Sequence, residues 1–413
     1  MKKLFYLVAL TTLMACNQAP KISQWRGESR SGIYKETDLL KSWGENGPDL
    51  VWETEGLGDG YSSPIITDEF IYVTGAIDSI GNLFKFDLNG QKLWQVTYEK
   101  EWTTNFPGSR GTPTVVDDKI YLCSGLGDIF CIGTENGDVI WHKSMPDDFG
   151  GINPRFGYSQ ALEVNGDLIY CEPGGAQNNV IALNRNTGQL IWKNKYFGEH
   201  PAYNSPNLIQ LKNKTILVTF SAYHLLGIDA ESGQLLWSHE QTNTKPEDRK
   251  PGVGDTHGNT ILFDDGFIYY SAADGNGGVK LKLSNDGNSI SEVWETPNFD
   301  NFMGGFIKLN DKLFTGSHRK QQLIAINCDT SDPTDSLKLG RGITLAADGL
   351  IYYYSDKGIV SLIKPGTEGM QVVSSFKLSK GTKEHFTHPV IRDGKLYLRH
   401  GNYLGVYNLK KED

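Results

Sequence analysis

The sequence predicts an all-β protein: an eight-bladed β-propeller with four-stranded antiparallel blades, its ring closed by an N-terminal strand. The first observation is a hairpin unit that recurs eight times between residues 63 and 413. The second is the spacing, because a strand-only unit with a period of about 45 residues is typical of propeller blades. The third is that the last unit is one strand short, and a matching strand stands near the N-terminus.

Each unit contains two runs of β-branched and aromatic residues joined by a short polar turn. In the first unit the turn precedes Phe70-Ile-Tyr-Val, and in the last it precedes Lys395-Leu-Tyr-Leu. A two-residue polar turn between such runs indicates a tight hairpin. The eight turns are Asp68-Glu69, Asp117-Asp118, Asn165-Gly166, Lys212-Asn213, Asp265-Gly266, Asn310-Asp311, Asp348-Gly349 and Asp393-Gly394.

A Gly-x-x-x-Trp motif closes four of the units. The glycine lies in a polar turn that requires a positive φ, and the tryptophan is predicted on the outer strand, wedged against the next blade. The four motifs run from Gly90 to Trp94, Gly137 to Trp141, Gly188 to Trp192 and Gly233 to Trp237. Trp294 is predicted to play this part in the fifth unit, and Leu339 and Phe376 to replace it in the sixth and seventh.

The ring is predicted to close between the two ends of the chain. The eighth unit ends after Gly405-Val-Tyr-Asn-Leu, whereas Asp49-Leu-Val-Trp52-Glu-Thr supplies an unpaired strand. Pairing the two removes the open edges of the array. We therefore predict that the propeller spans 49–413. The residues before it are predicted as a signal peptide over 1–15 and a lipidated tether and lead-in over 16–48.

The N-terminus has the features of a secreted lipoprotein. Met1-Lys-Lys and an apolar stretch too short to span a bilayer indicate a secretory signal. Leu13-Met-Ala-Cys16 resembles the bacterial lipobox, which implies a lipid on Cys16; the alternative is ordinary cleavage. Neither Asn17 nor its neighbours are acidic, whereas in families that retain lipoproteins at the inner membrane an Asp stands there. We therefore expect an outer-membrane lipoprotein facing the periplasm or the cell surface.

Charge and cysteine content exclude some functions. The formal net charge of −9 disfavours nucleic-acid partners. Neither a Cys-x-x-Cys motif nor a zinc spacing occurs among Cys123, Cys131, Cys171 and Cys328. Cys123 and Cys131 lie on consecutive strands and would face each other in one of two registers, which leaves a disulfide open.

The candidate binding site is a funnel on one face of the ring, where the residues before the inner strands converge. Histidines and arginines gathered on one rim of an acidic protein suggest a site for an anion or a sugar. The candidates are Tyr61, Arg110, Arg155, Tyr158, His257, Arg341, His385 and His388, with His318 from a loop between second and third strands. The alternative is that these residues only pair with carbonyls or carboxylates, or form turns. Neither a catalytic residue nor a metal site is predicted.

Two segments, Val180–Trp192 and Leu225–Trp237, resemble the repeat of the PQQ-like β-propeller proteins, as does the opening Gln24-Trp-Arg-Gly-Glu-Ser-Arg-Ser-Gly32. The resemblance covers nearly the whole mature chain and implies the fold more than the function. One branch implies a lipoprotein like the propeller of the outer-membrane barrel-assembly machinery. Another implies a quinoprotein dehydrogenase that uses PQQ with Ca²⁺ on a sugar or alcohol, and a third a carbohydrate-binding accessory of polysaccharide uptake.

The sequence departs from the dehydrogenase pattern, since it lacks an adjacent Cys-Cys pair and its calcium ligands cannot be placed. We therefore expect a binding or scaffolding protein without catalysis or cofactor. Its partner would be an outer-membrane protein, a glycan or a small anionic ligand in the funnel.

Overall fold

Eight antiparallel sheets form the ring, one for each predicted blade. The computed structural model describes residues 20–250, 254–302, 305–367 and 369–411, so the predicted signal peptide and Cys16 lie outside the described residues. Six sheets have four strands, and two gain a fifth short strand from the N-terminal segment. The predicted eight-bladed propeller is confirmed.

The first four blades follow one another along the chain, each running from its inner strand to its outer strand. Blade 1 comprises Ile65–Ile66, Phe70–Ile77, Ile80–Asp87 and Lys92–Lys100. Blade 2 comprises Thr114–Val116, Lys119–Cys123, Asp128–Gly133 and Val139–Ser144. Blade 3 comprises Glu163–Asn165, Leu168–Cys171, Val180–Asn184 and Leu190–Asn194. Blade 4 comprises Asn207–Leu211, Lys214–Phe220, His224–Asp229 and Leu235–Glu240.

The last four blades repeat this order and end with the closing strand. Blade 5 comprises Leu262–Asp264, Phe267–Ser271, Gly278–Leu283 and Ile290–Thr296. Blade 6 comprises Ile307–Leu309, Lys312–Ser317, Gln322–Asn327 and Pro333–Leu337. Blade 7 comprises Gly342–Ala347, Leu350–Ser355, Ile359–Lys364 and Gln371–Lys377. Blade 8 comprises Val390–Arg392, Lys395–His400, Tyr403–Asn408 and Leu50–Thr54. The described helices are short: Glu28–Arg30 and Pro246–Asp248 are 3₁₀ turns, and Met145–Phe149 is an α-helix.

The ends of the chain close the ring as predicted. Trp52 pairs with Val406 and Thr54 pairs with Leu404, so the N-terminal strand is the outer strand of blade 8. The predicted hairpin turns also hold, with one shift. In blade 3 Asn165 pairs with Leu168, which makes the turn Gly166-Asp167 instead of Asn165-Gly166.

The tryptophans of the outer strands join neighbouring blades. Trp141 donates its indole N–H to the carbonyl of Arg185 in the next blade, at 2.9 Å. This turn favours glycine for two reasons. A Cβ on Gly188 would lie only 3.0 Å from the Trp141 ring, and φ at Gly188 is +70°, which other residues rarely adopt.

The predicted replacements for tryptophan in blades 6 and 7 are wrong. In the other blades the tryptophan directly follows the bulge of its outer strand. The residue at this place is Asp335 in blade 6 and Ser374 in blade 7. Leu339 lies beyond its strand, and Phe376 lies two residues further along its own. In blade 7 the lead-in supplies the missing ring: Trp43 donates its backbone N–H to Ser374 Oγ at 3.0 Å.

The cysteines pack as small core residues. Cys131 lies opposite Tyr121, whereas Cys123 lies opposite Ile129. The two thiols are therefore not cross-strand partners. All four cysteines of the described chain are free and buried.

The N-terminal segment 21–34 plugs the central tunnel. Ile22–Ser23 pairs with the inner strand of blade 2, and Ile33–Tyr34 pairs in parallel with the inner strand of blade 7. Between these pairings Arg26 and Arg30 are buried inside the ring.

Both plug arginines bind groups on the inner strands or directly before them. Arg30 Nε donates to Glu163 Oε2 at 2.5 Å, and its Nη2 donates to the carbonyl of Leu162 at 3.0 Å. Arg26 Nη2 donates to the carbonyl of Phe306 at 2.7 Å. The Arg26 guanidinium occupies the space that a Cβ on Gly305 would need. The plug is thus fixed to several blades at once.

The short helices of the described residues include no candidate membrane span.

Candidate functional site

The loops before the inner strands converge on one face and enclose a cavity of about 600 Å³ at the funnel. This volume is in the range of small-ligand sites. Seven aromatic side chains line it: Trp25, Tyr61, Phe106, Phe156, Tyr203, Phe302 and Phe386.

Five of these rings form an arc around the mouth. Ring centroids are 5.8 Å apart between Tyr61 and Phe386, and 5.9 Å apart between Phe386 and Phe106. The arc continues to Phe156 at 6.2 Å and from there to Tyr203 at 5.6 Å. Phe106 remains 41% exposed. Contiguous apolar surface left open to water is typical of a binding site.

Arg110 lies at the base of this arc. Its Nη2 donates to the carbonyls of Asn105 and Phe106, which holds the Phe106 loop in place. Its guanidinium carbon is 6.0 Å from the Tyr61 ring centroid. Burial lowers the pKa of Arg110, and no hydrogen-bond partner for its buried Nε is found among the described residues. The site therefore contains a cation whose hydrogen-bonding capacity is only partly used.

A second cation lies across the cavity on blade 7. Arg341 Nε donates to Asp356 Oδ2 at 2.7 Å, and its Nη1 lies 3.2 Å from His318 Nδ1. A guanidinium only donates, so in this contact Arg341 Nη1 is the donor and His318 Nδ1 the acceptor. The His318 ring also stacks on Phe302, with centroids 4.9 Å apart.

Glu384 is the carboxylate that lines the described part of the cavity. Its Oε2 accepts a hydrogen bond from the Tyr61 hydroxyl, at an oxygen–oxygen distance of 2.6 Å. Burial, and then this hydrogen bond, raise the pKa of Tyr61. Tyr61 therefore acts as a donor that orients the carboxylate.

The plug forms the floor of the cavity. The Trp25 ring lies 4.8 Å from the His388 ring, and Arg26 Nη1 lies 3.2 Å from His388 Nδ1. Since segment 21–34 fills the tunnel below, the cavity is a cup that opens at the funnel.

The structure brings five of the nine predicted residues together in the cavity wall: Tyr61, Arg110, His318, Arg341 and His388. His385 lines a small adjoining recess instead. Its Nδ1 lies 2.5 Å from the Tyr354 hydroxyl, and its ring stacks on His400 with centroids 3.7 Å apart. Burial, and then the charge of His400, lower the pKa of His385 to about 4.

The other three predicted residues do not line the cavity. Arg155 is exposed, with its guanidinium 5.2 Å from the Phe156 ring. Tyr158 is buried and hydrogen-bonds the carbonyls of neighbouring loops. His257 is buried 3.7 Å from the Phe220 ring, and burial lowers its pKa to about 3. Alternate residues of these loops point into and out of the blades, so their neighbours Phe156, Ser159 and Thr256 line the cavity instead.

The predicted set lacks the four phenylalanines of the cavity wall, Trp25 and Glu384. The missed phenylalanines precede inner strands just as the chosen residues do, so an aromatic at that place in each unit was the available signal. Trp25 had a signal in the motif Gln24–Gly32, but nothing in that motif indicates where in the ring it lies.

The described donor set of the cavity is poor in the oxygen ligands that a calcium-held quinone needs. Calcium takes six to eight oxygen ligands, whereas the described cavity wall contributes the carboxylate of Glu384, one oxygen of which already accepts from Tyr61. No group of three or more His, Cys, Asp or Glu side chains in the described chain could hold a metal ion. The cavity thus fits calcium poorly, whereas its two guanidiniums suit a carboxylate.

Comparisons with known proteins agree on the repeat family. The family model described as outer membrane protein assembly factor BamB matches residues 28–151 and 79–333. A quinoprotein ethanol dehydrogenase of Pseudomonas putida is 29% identical over 155 residues, which are 34% of this chain and 24% of that protein. Outer membrane protein assembly factor BamB of Shewanella oneidensis is 22% identical over 192 residues, 44% of this chain and 46% of that one. The chain thus spans less than half the length of these curated relatives.

Solved structures agree on the fold. BamB from Moraxella catarrhalis superposes with a TM-score of 0.64 at 13% identity, covering 89% of this chain and 99% of that one. A europium-containing methanol dehydrogenase superposes with a TM-score of 0.53 at 12% identity, covering 92% and 90%. The expected resemblance to PQQ-like propellers is confirmed.

Proposed function

Because the chain belongs to the family described as outer membrane protein assembly factor BamB, we propose that it is a lipid-anchored, extracytoplasmic propeller that binds a partner and carries out no reaction itself. The anchor is the lipid on Cys16, in the outer membrane. The partner is an outer-membrane protein, one segment of which docks in the funnel.

The observation that carries this proposal is the aromatic arc at the funnel mouth. Phe106 is exposed to solvent, and Arg110 holds the Phe106 loop in place with two hydrogen bonds to its carbonyls. Because Phe106 is 41% exposed, burying the rest of it against a partner removes about 60–100 Å² from water, which contributes about 2 kcal/mol of binding at roughly 25 cal/mol/Å². Aromatic residues and arginine are also among the residue types enriched at protein–protein interfaces.

Several polar groups at the cavity already hydrogen-bond within the protein, whereas Arg110 Nε has no partner among the described residues, and this arrangement favours binding over catalysis. Tyr61 is paired with Glu384, and Arg341 with Asp356. Ser159 Oγ donates to the carbonyl of Tyr203 at 3.0 Å instead of contacting a base. A nucleophile requires a base within hydrogen-bond reach.

A protein segment suits the cavity better than a glycan. Seven of its lining residues are aromatic, and the Glu384 carboxylate and the Arg341 guanidinium, which could bind sugar hydroxyls, already hydrogen-bond Tyr61 and Asp356. Glycan binding is retained as an outcome that a glycan array would reveal.

Photo-crosslinking in cells tests the proposal. A crosslinking amino acid replaces Phe106 or, as a matched control, Phe197, which is 46% exposed outside the cavity. We expect position 106 to capture an outer-membrane protein and position 197 to capture none. Equal capture at both positions, or none at 106, would contradict a partner in the funnel.

The quinoprotein alternative has its own test. PQQ and calcium are added to the purified full-length protein, and quinone absorbance and dye-linked oxidation of alcohols and sugars are followed. We expect neither binding nor turnover. Stoichiometric quinone binding with turnover would overturn the proposal.

A further inference from the structure

The chain enters the ring from the face opposite the funnel. The Lys21 amide donates to Asp117 Oδ1 at 3.0 Å, and the Asp117 amide donates to the Lys21 carbonyl at 3.1 Å. Lys21 Nζ also lies 3.0 Å from Asp68 Oδ2. Asp68 and Asp117 belong to the turns that follow the inner strands, which we call the turn face. The funnel residues Tyr61 and Arg110 precede the same two strands, so they lie at the other end.

This entry point is fixed close to the axis of the ring. Ile22–Ser23 pairs with Val115–Val116 on an inner strand, which lines the tunnel. Directly after it come the buried arginines of the plug, tied to blades 3 and 6. The chain cannot slide through the ring without breaking these contacts.

The reach of the tether follows from the covalent chain alone. Five peptide links separate Cys16 from Lys21. A fully extended chain spans at most about 3.6 Å per residue, so Lys21 lies within about 18 Å of the lipidated cysteine.

Facing the funnel towards the membrane would require a longer path. The tether would have to pass the three outer strands of a blade, which at a spacing of about 4.8 Å extend roughly 14 Å outward. It would then climb the edge of the disc, roughly 20 Å for a six-residue strand. The sum, roughly 34 Å before any loop is counted, is nearly twice the reach of the tether.

We propose that the turn face is turned to the lipid surface and that the funnel opens away from the leaflet that holds the anchor. The inference rests on the proposed lipid at Cys16. It adds a condition on the partner: its docking segment must project into the aqueous space by at least the thickness of the disc. A segment embedded in the same leaflet cannot reach the arc.

A matched pair of lysines provides the test. Lys212 lies in the inner turn of blade 4 on the turn face, and Lys357 lies in the turn between the second and third strands of blade 7 on the funnel face. Both side chains are exposed. Lys212→Cys and Lys357→Cys are labelled with a fluorophore in the full-length lipoprotein on vesicles containing a headgroup nitroxide lipid. The four described native cysteines are buried and do not compete for the label.

We expect nitroxide quenching of the label at 212 and, at 357, no quenching beyond that of nitroxide-free vesicles. Equal quenching at both sites, or stronger quenching at 357, would overturn the inference. Membrane partition of Cys16→Ser separates the two proposals. If that variant stays on vesicles, the anchor itself is refuted. If it dissociates, but the label at 357 is quenched in the protein that retains Cys16, only the orientation is refuted. Crosslinking at Phe106 reports on the funnel independently of both.

Discussion

Replacing Arg30 should reveal how strongly the plug is locked into the ring. Its side chain is fully buried and its partner Glu163 is 6% exposed, at an Nε to Oε2 distance of 2.5 Å. Removing one partner of such a buried pair costs about 3–5 kcal/mol, because the remaining charge is left without compensation. We expect Arg30→Met to lower the free energy of unfolding by this amount. Arg30→Met/Glu163→Met should recover most of it, since both charges then leave the interior.

The loss should also depend on pH. Burial raises the pKa of Glu163 and, to well above the usual range, that of Glu172, and the charge of Arg30 opposes both shifts. Without Arg30 both pKa values rise further, so the folded state holds protons that the unfolded state releases. Stability therefore falls as pH rises from the ordinary carboxylate range towards the raised pKa values, and the deficit of Arg30→Met is larger at pH 8 than at pH 5.

Urea unfolding followed by tryptophan fluorescence at both pH values measures the effect. Arg392→Met is the control, because Arg392 pairs with Asp68 at 2.6 Å on the surface, and such pairs are worth about 1 kcal/mol or less. If Arg30→Met and Arg392→Met unfold alike at both pH values, the plug is not held by this ion pair.

Three further predictions concern the ring itself. Burial raises the pKa of Glu101 to about 7, so the free energy of unfolding should fall by up to about 3 kcal/mol as the pH rises from 4.5 to 7. In Glu101→Gln this dependence on pH should be weaker, as measured by urea unfolding at several pH values. The Trp43 ring centroid lies 6.0 Å from that of Tyr352, so Trp43→Ala should lower the free energy of unfolding by about 3 kcal/mol in thermal unfolding. An unchanged Tm would show that the lead-in does not support blade 7. Gly233→Ala should destabilise by more than about 1 kcal/mol in the same assay, since φ is +74° and the Cβ would meet the Trp192 ring.

The fold could be predicted because its determinants are local. A two-residue turn between two apolar runs fixes a hairpin within a dozen residues, and eight such hairpins leave few architectures other than a ring. The same logic failed where the determinant is distant. Ser374 takes the tryptophan position of blade 7 because Trp43, 331 residues away in sequence, covers it. No spacing within the repeat contains that information.

The candidate site was predicted as a face but not as a set of side chains. Arg110 and Arg341 were found because topology alone brings their loops together. Tyr158 and His257 were chosen by residue type, yet the side chains of a loop alternate between cavity and core, and both lie in the core. The plug was missed because a motif such as Gln24–Gly32 does not state which part of the ring it enters.

The affinity of the crosslinked partner for variants of the funnel mouth tests the central claim most directly. Calorimetry on the full-length protein compares Phe106→Ala/Phe156→Ala with Phe197→Ala, and circular dichroism confirms that each variant is folded. If the aromatic arc is the docking site, the double variant binds at least about tenfold more weakly, a loss of about 1.4 kcal/mol or more, while Phe197→Ala binds as the wild type does. Wild-type affinity in the folded double variant would contradict the account.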